Sequence, residues 1–75
     1  MTATMMDMEI RFADLLYPNQ LMEGDLIKVD GEFFTIKNIN EGEEGCNVAI
    51  IDEYEEVIDT FFFDDEKIEL YVYVE

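Results

Sequence analysis

The chain has 75 residues, with 20 Asp and Glu against 4 Lys and Arg and no His, so its net charge is −16 at pH 7. Hydrophobic residues make up 49% and aromatic residues 13%, which is typical of a folded chain and not of an acidic disordered tail. The sequence contains neither an apolar run long enough to span a membrane nor a basic leader followed by a hydrophobic stretch. We therefore expect one small domain in the cytoplasm, or in a host cytoplasm if the protein is viral.

The residue types that carry most catalytic chemistry are scarce in this chain. It has no His, Ser or Trp, so Cys46 and four Thr are the remaining nucleophiles. The surrounding carboxylates should raise the pKa of the thiol and make the thiolate less available. We predict that Cys46 is a small buried strand residue, that the protein is not an enzyme and that it uses no cofactor.

Metal binding and direct nucleic-acid binding are also disfavoured. Zinc sites need several Cys and His residues, and the chain has one and none. The carboxylate runs at 52–56 and 64–66 lack the alternating ligands and central Gly of a helix-flanked calcium loop. The four basic residues are dispersed and form no patch for a phosphate backbone. We therefore predict no dedicated metal site and no direct contact with nucleic acid.

The first predicted element is a short helical segment over Glu9–Tyr17. Its apolar residues Phe12, Leu15 and Leu16 follow the i, i+3, i+4 spacing of one helix face. Pro18 comes directly after this segment and favours its end there. We expect the segment to lay its apolar face over one end of the structure that follows.

A β-hairpin is predicted beyond Gly24, where the hydrophobic period changes to two. Its strands are Leu26–Val29 and Glu32–Ile39, and Asp30-Gly31 between them is a strong two-residue turn signal because both positions tolerate positive φ. Pairing across that turn places four apolar side chains on one face, which we take as the core face. They are Ile27, Val29, Phe34 and Ile36.

Three more strands are predicted in the second half of the chain, at Cys46–Ile51, Val57–Phe63 and Ile68–Val74. For the first two of these the core face stays open, because both faces are partly apolar. Alternation groups Val48, Ile50 and Phe61 on one side and Ala49, Ile51, Ile58 and Phe62 on the other. Asp64-Asp65-Glu66 is typical of a single helical turn, where carboxylates can cap free backbone N–H groups.

The sequence therefore predicts a mainly β fold, a five-stranded antiparallel barrel with a short N-terminal helical segment. Closure of such a barrel removes the sheet edges that would otherwise pair with other chains. We divide the chain into an N-terminal arm over residues 1–22, whose first eight residues show no period, and a barrel domain over residues 23–75.

The stretch Glu23–Ile36, with its Gly-Asp start, Asp-Gly-Glu turn and aromatic-rich second strand, resembles the opening hairpin of SH3-like barrels of the KOW type. The N-terminal domain of elongation factor P belongs to that type. The resemblance implies an SH3-like barrel, and in that factor the loop after the second strand presents a Lys to the ribosome. The matching loop here, 40–45, carries three Glu and no Lys, which argues against a ribosomal role. The short, acidic chain also resembles small bacteriophage proteins that bind host machinery.

The charge suggests the function. A compact chain of this length has a diameter of about 30 Å, and about 30 Å of duplex DNA carries roughly 17 or 18 charges, close to the −16 of the protein. We predict a non-enzymatic acidic protein-binding module that mimics DNA and inhibits a nucleic-acid-binding host protein by occupying its basic surface. The residues predicted to contact that partner are Glu41, Glu43, Glu44, Asp52, Glu53, Glu55, Glu56, Asp64, Asp65, Glu69, Tyr71 and Tyr73.

Two other interpretations remain open. Acidic surfaces also keep small proteins soluble, and many of these carboxylates fall in turns where they would simply face water. Alternatively, the chain is a virion-associated or structural adaptor that forms a homo-oligomer through exposed aromatic residues such as Phe33, Tyr71 and Tyr73. Like-charged copies would then repel each other unless the interface excluded the carboxylates.

Overall fold

The computed structural model describes residues 9–74, which form one six-stranded antiparallel sheet. The strands are β1 (Glu9–Leu16), β2 (Leu26–Val29), β3 (Glu32–Glu41), β4 (Gly45–Ile51), β5 (Val57–Phe63) and β6 (Ile68–Val74). A short 3₁₀ turn at Pro18–Gln20 follows β1, and the order across the sheet is β1-β6-β2-β3-β4-β5. The mainly β class and the five predicted strands are confirmed, with ends that differ by two residues at most.

The β2–β3 hairpin forms as predicted. Asp30 and Gly31 take φ values of 52° and 83°, so both turn residues lie in the left-handed region that a two-residue turn of this kind requires. The pairing places Ile27 opposite Phe34 on the core face. Ile27 is fully buried, and Phe34 and Ile36 join it in the core.

Strand β3 is long and irregular, and it links the two halves of the sheet. Its first residues pair with β2, and its register with β4 shifts between Ile36 and Asn38, which leaves Lys37 as an extra, exposed residue. Because of this bulge, Ile36 and Ile39 face the same side although they are three residues apart. The bulge also bends the strand and increases its twist, which helps one sheet to wrap around a core.

The core lies on the inner face of the sheet and draws side chains from five of the six strands. It also includes Leu21, which follows the 3₁₀ turn. The register pairs Cys46 with Phe62 and Val48 with Thr60, which settles the face that the sequence left open. The prediction that Phe61 shares a face with Val48 was wrong. Phe62 is buried with Val48, and Phe61 is exposed. The buried members are Leu21, Ile27, Phe34, Ile36, Cys46, Val48, Ile50, Phe62 and Ile68.

Residues 9–16 are a strand, so the helical segment predicted over Glu9–Tyr17 is wrong. Strand β1 pairs with β6 along its length, and a register shift between Phe12 and Asp14 leaves Ala13 as an extra residue. This bulge places Phe12 opposite Tyr71 and Leu15 opposite Glu69, so two residues with helical spacing share one strand face. As a strand, residues 9–16 form backbone hydrogen bonds with the edge of β6. A helix lying over the end of the sheet could not form these bonds.

The predicted five-stranded closed barrel is not what the strand pairing shows. Within residues 9–74, β1 pairs with β6 alone and β5 pairs with β4 alone, so the sheet is open and has two edges. The longest dimension of residues 9–74 is 51 Å, against the diameter of about 30 Å expected for a compact chain. The added strand β1 extends the sheet beyond the core, and Val72 on β6 is 43% exposed there.

Residues 1–8 of the predicted arm lie outside the described residues, and the division of the chain at residue 22 stays a prediction. Residues 9–16, which that division assigns to the arm, are part of the same sheet as the rest. No helix within residues 9–74 has the length and apolar character needed to cross a membrane.

Gly45 is the one glycine at which the fold allows no side chain. A Cβ atom there would collide with the carbonyl oxygen of Phe62 and lie only 2.9 Å from the Cα of Phe63. We expect Gly45→Ala to force β4 and β5 apart and to lower the free energy of unfolding by about 2–3 kcal/mol. Urea denaturation of the variant and the parent chain measures this loss.

The matched control is Gly42→Ala, in the neighbouring turn. A Cβ atom at Gly42 has the carbonyl oxygen of Gly45 as its nearest neighbour, at 3.3 Å. This substitution should cost less than about 1 kcal/mol. Equal losses for the two variants would contradict the close approach of β4 and β5 at Gly45.

Candidate functional site

Two acidic turns meet at one end of β4. We call this surface the acidic end and define it as Glu41, Glu43, Glu44, Asp64 and Asp65. All five side chains are exposed. The backbone N–H of Asp64 donates a hydrogen bond to the carbonyl oxygen of Glu44 at 2.9 Å, which fixes one turn against the other. Five of the predicted partner-binding residues are therefore close in space although they come from separate turns.

The second of these turns differs from the predicted helical turn. The backbone N–H of Glu66 donates to the carbonyl oxygen of Phe63 at 3.0 Å, and one β-turn leads directly from β5 towards β6. The Glu66 carboxylate accepts a hydrogen bond from the Phe63 backbone N–H at 2.7 Å. The expected capping by a carboxylate is present, but it closes a β-turn because β6 begins too soon for a helix.

A third acidic turn lies at the opposite end of β4. We call it the acidic loop and define it as Asp52, Glu53, Glu55 and Glu56. One oxygen of Asp52 accepts hydrogen bonds from the backbone N–H groups of Tyr54 at 2.8 Å and of Glu56 at 2.9 Å. Asp52 is half-buried and holds the loop together, while the other three carboxylates are exposed. Of this predicted set, three members are free to meet a partner.

The acidic end and the acidic loop are separated by the length of β4. Its seven residues span about 20 Å, so the two groups are not one uninterrupted row. Asp59, on the edge strand β5, places one exposed carboxylate between the acidic end and the acidic loop. Glu69 lies elsewhere, on β6, where it accepts a hydrogen bond from the hydroxyl of Tyr71 at 2.7 Å.

These carboxylates are not neutralised within the described part of the chain. Residues 9–74 contain one ion pair, between Arg11 and Glu9 at 3.1 Å, and both side chains are largely exposed. Lys28 lies over the ring of Phe33 and Lys67 over the ring of Tyr17, and neither forms an ion pair with a described carboxylate. Over the described residues, no three Asp, Glu or Cys side chains are arranged to hold a metal ion. The negative charge of the acidic end and the acidic loop therefore faces solvent.

An aromatic cluster covers the outer face of the sheet, opposite the core. The rings of Phe12 and Phe33 both meet the ring of Tyr71 edge-on, with centroids 5.7 Å and 5.0 Å apart. The hydrogen bond that Tyr71 donates to Glu69 raises the pKa of its phenol above the ordinary value. Tyr71 is thus half-covered by its neighbours, whereas Tyr73, also predicted to bind the partner, is 56% exposed.

Several residues of these surfaces were missed by sequence analysis. Phe12 was placed in a helix, although the alternation of Ile10 and Phe12 with charged neighbours is itself a strand signal. Asp59 carried no signal, since it is a single carboxylate inside an apolar run. Tyr54, in the acidic loop, is 81% exposed and was not singled out.

The acidic end changes the chemistry of the cysteine beneath it. Cys46 is a free, buried thiol next to the first acidic turn, as the sequence predicted. Burial raises its pKa above the ordinary value, and the nearby charges of Glu41 and Asp64 raise it further. Both effects disfavour the thiolate, so the thiol is kept protonated.

Glu41→Gln should lower the pKa of the Cys46 thiol, because the substitution removes one of the charges that oppose its ionisation. Glu43→Gln, at the next acidic position of the same turn, should change the pKa of the Cys46 thiol less than Glu41→Gln does. The pH dependence of the Cys46 ¹³Cβ chemical shift measures both. A thiol pKa that does not respond to Glu41→Gln would contradict the packing of this turn over Cys46.

Comparisons with known proteins found no match: no protein-family model, no curated protein and no solved structure is similar to this chain. The likeness of residues 23–36 to the KOW-type hairpin therefore stays a prediction. A function has to be inferred from the arrangement of the residues themselves.

Proposed function

We propose that the chain is a non-enzymatic, acidic protein-binding module that occupies the basic surface of a nucleic-acid-binding protein in place of a nucleic acid. A nucleic-acid mimic has to present negative charge that its own fold does not neutralise. The acidic end and the acidic loop meet this requirement, because their carboxylates are exposed, apart from half-buried Asp52, and none of them is in an ion pair. This is the observation that carries the proposal.

The arrangement of the charge supports an elongated contact. The β5 side of the sheet has the acidic loop at one end of the strand, Asp59 within it and the acidic end at the other. Residues 9–74 carry 18 Asp and Glu against 4 Lys and Arg, a net charge of −14 along a longest dimension of 51 Å, or one net charge per about 3.6 Å. Duplex DNA carries one charge per about 1.7 Å and a single strand one per about 3.4 Å. The protein therefore approaches the charge density of one nucleic-acid strand. An acidic surface of this kind speeds association with a cationic groove and makes binding sensitive to salt.

We place this activity in the cytoplasm, or in a host cytoplasm if the protein is viral, because a single buried thiol suits a reducing compartment. We also propose that residues 23–75 are related to SH3-like barrels of the KOW type. The hairpin of β2 and β3, with its Asp30-Gly31 turn, supports that relation. The acidic turns of this chain would repel the phosphate backbone of RNA, so they suit a protein partner better than RNA.

The immobilised chain should retain nucleic-acid-binding proteins from a host lysate at low salt and release them as salt is raised, because the contact is electrostatic. Added duplex or single-stranded DNA should displace the same proteins, since both ligands need one basic surface. Mass spectrometry of the two eluates identifies them. Retention of proteins that do not bind nucleic acid, or proteins that DNA fails to displace, would contradict the proposal.

Two variants of equal net charge separate the acidic end from total charge. The first removes three carboxylates of the acidic end as Glu41→Gln, Glu43→Gln and Glu44→Gln. The second removes three carboxylates elsewhere, as Glu9→Gln, Glu23→Gln and Asp30→Asn, all exposed. We expect the first to weaken binding of an identified partner by about tenfold and the second by less than about threefold. Equal weakening would show that only total charge matters.

A second candidate, a self-associating structural adaptor, is favoured by the apolar edge strand β5. Phe61 and Phe63 stack edge-on with centroids 4.9 Å apart, and Phe63 is 53% exposed. If copies assemble through this edge, sedimentation velocity should show oligomers that increase with salt, because screening weakens the repulsion between acidic copies. Phe63→Thr should then restore the monomer. A monomer at low and at high salt would eliminate this candidate.

A further inference from the structure

A groove of about 570 Å³ lies on the outer face of the sheet, away from the acidic end. Its lining includes Leu26, which is buried although it is not part of the core cluster around Ile27. Four aromatic residues line it: Phe33, Tyr54 and Tyr73 are exposed, whereas Phe34 is buried in the core. The size falls within the range of about 300–1,000 Å³ that is typical of ligand sites.

The charged residues that line this groove all have one sign. They are Glu32 beside the hairpin turn and Asp52 and Glu53 of the acidic loop. No Lys or Arg is among the described lining residues. A cation in such a groove can interact with the faces of the aromatic rings and can also pair with the carboxylates. The same carboxylates repel a phosphate group.

The same outer face already holds a cation of the protein itself. The Nζ atom of Lys28 lies 5.5 Å from the ring centroid of Phe33 and 5.8 Å from that of Tyr71. Glu69, hydrogen-bonded to Tyr71, lies next to Lys28 across the β2–β6 pairing. The two rings around this ammonium group show that the outer face accommodates a cation. The neighbouring groove shares the Phe33 ring and adds Tyr54 and Tyr73, with no Lys or Arg among its described lining residues.

We propose that the groove binds an arginine side chain from an extended, basic segment of the partner protein. The inference rests on the proposed function and names the contact that would anchor it. A planar guanidinium stacks on aromatic rings, is weakly hydrated and can donate two parallel hydrogen bonds to one carboxylate, whereas an ammonium group is compact and strongly hydrated. The volume leaves room for the residues that flank the arginine in an extended segment.

The test is an NMR titration of the full chain, labelled with ¹⁵N, with an acetylated and amidated peptide of three Gly-Arg repeats. The amide signals of Phe33, Thr35, Tyr54 and Tyr73 should shift most. A peptide with Lys in place of Arg should bind at least about threefold more weakly, and one with the neutral isostere citrulline should not bind measurably. Shifts that concentrate at the acidic end would overturn the proposal.

Matched variants separate the groove from general charge. Glu32→Gln with Glu53→Gln removes two charges from the groove, and Glu43→Gln with Glu44→Gln removes two from the acidic end. The first pair should raise the Kd of the Arg peptide about tenfold and the second less than about twofold. Tyr54→Leu, at an exposed position, should also raise the Kd severalfold while the dispersion of the amide signals shows an intact fold. Equal effects of the two charge pairs would overturn the proposal.

The remaining outcomes distinguish this proposal from the one on which it rests. If the groove variants bind the partner as the parent does, while the acidic-end variant does not, the groove is not the anchor and the acidic module stands. If the Arg peptide binds in the groove but the lysate experiment retains no protein that DNA displaces, the groove stands and the nucleic-acid mimic fails. Groove signals that shift with protein concentration in the absence of peptide would show a second copy there and overturn the arginine assignment.

Discussion

One constraint shapes this molecule: a single sheet has to surround its own core. The described residues contain no long helix to cover a face, so the side chains of β2, β3, β4, β5 and β6 must meet one another across a curled sheet. The bulge at Lys37 in β3 makes this curl possible, because it bends the strand that belongs to both halves. The outcome is complete burial of Ile27 in a chain of only 75 residues.

The side chains of the inner face are buried in this core. Contacts with other molecules are therefore left to the outer face, the edges and the turns. The carboxylates are concentrated in the turns, where each strand ends, and the aromatic rings on the outer face of β1, β3 and β6. The two surfaces adjoin at the acidic loop, since Asp52 and Glu53 also line the aromatic groove. A partner that combines a basic surface with one protruding arginine would use both.

The strands of residues 26–74 could be predicted because their signals are local. The Asp30-Gly31 turn and the alternation of Ile68, Leu70 and their neighbours depend on few residues. Strand β1 was mispredicted because a bulge gives Phe12 and Leu15 the spacing of a helix, and the alternation of Ile10 and Phe12 is too short to outweigh it. Its pairing with β6 is also distant in sequence. The acidic residues were visible in the sequence, but their division into two groups follows from the hairpin of β4 and β5. The groove arises from residues that β1, β2, β3, β4, β6 and the acidic loop bring together, and no window of sequence contains them.

The open sheet has a consequence for the behaviour of the protein in concentrated solution. Among residues 9–74, the edge strands β1 and β5 have backbone donors and acceptors that pair with no other described strand, and such edges invite other chains to extend the sheet into fibrils. Glu9, Asp14 and Asp59 put carboxylates on those edges, and the charge of the whole chain keeps copies apart. This protection is electrostatic, so acid that protonates the carboxylates removes it while the edges remain. The acidity on which the proposed function rests therefore also opposes fibril formation at neutral pH.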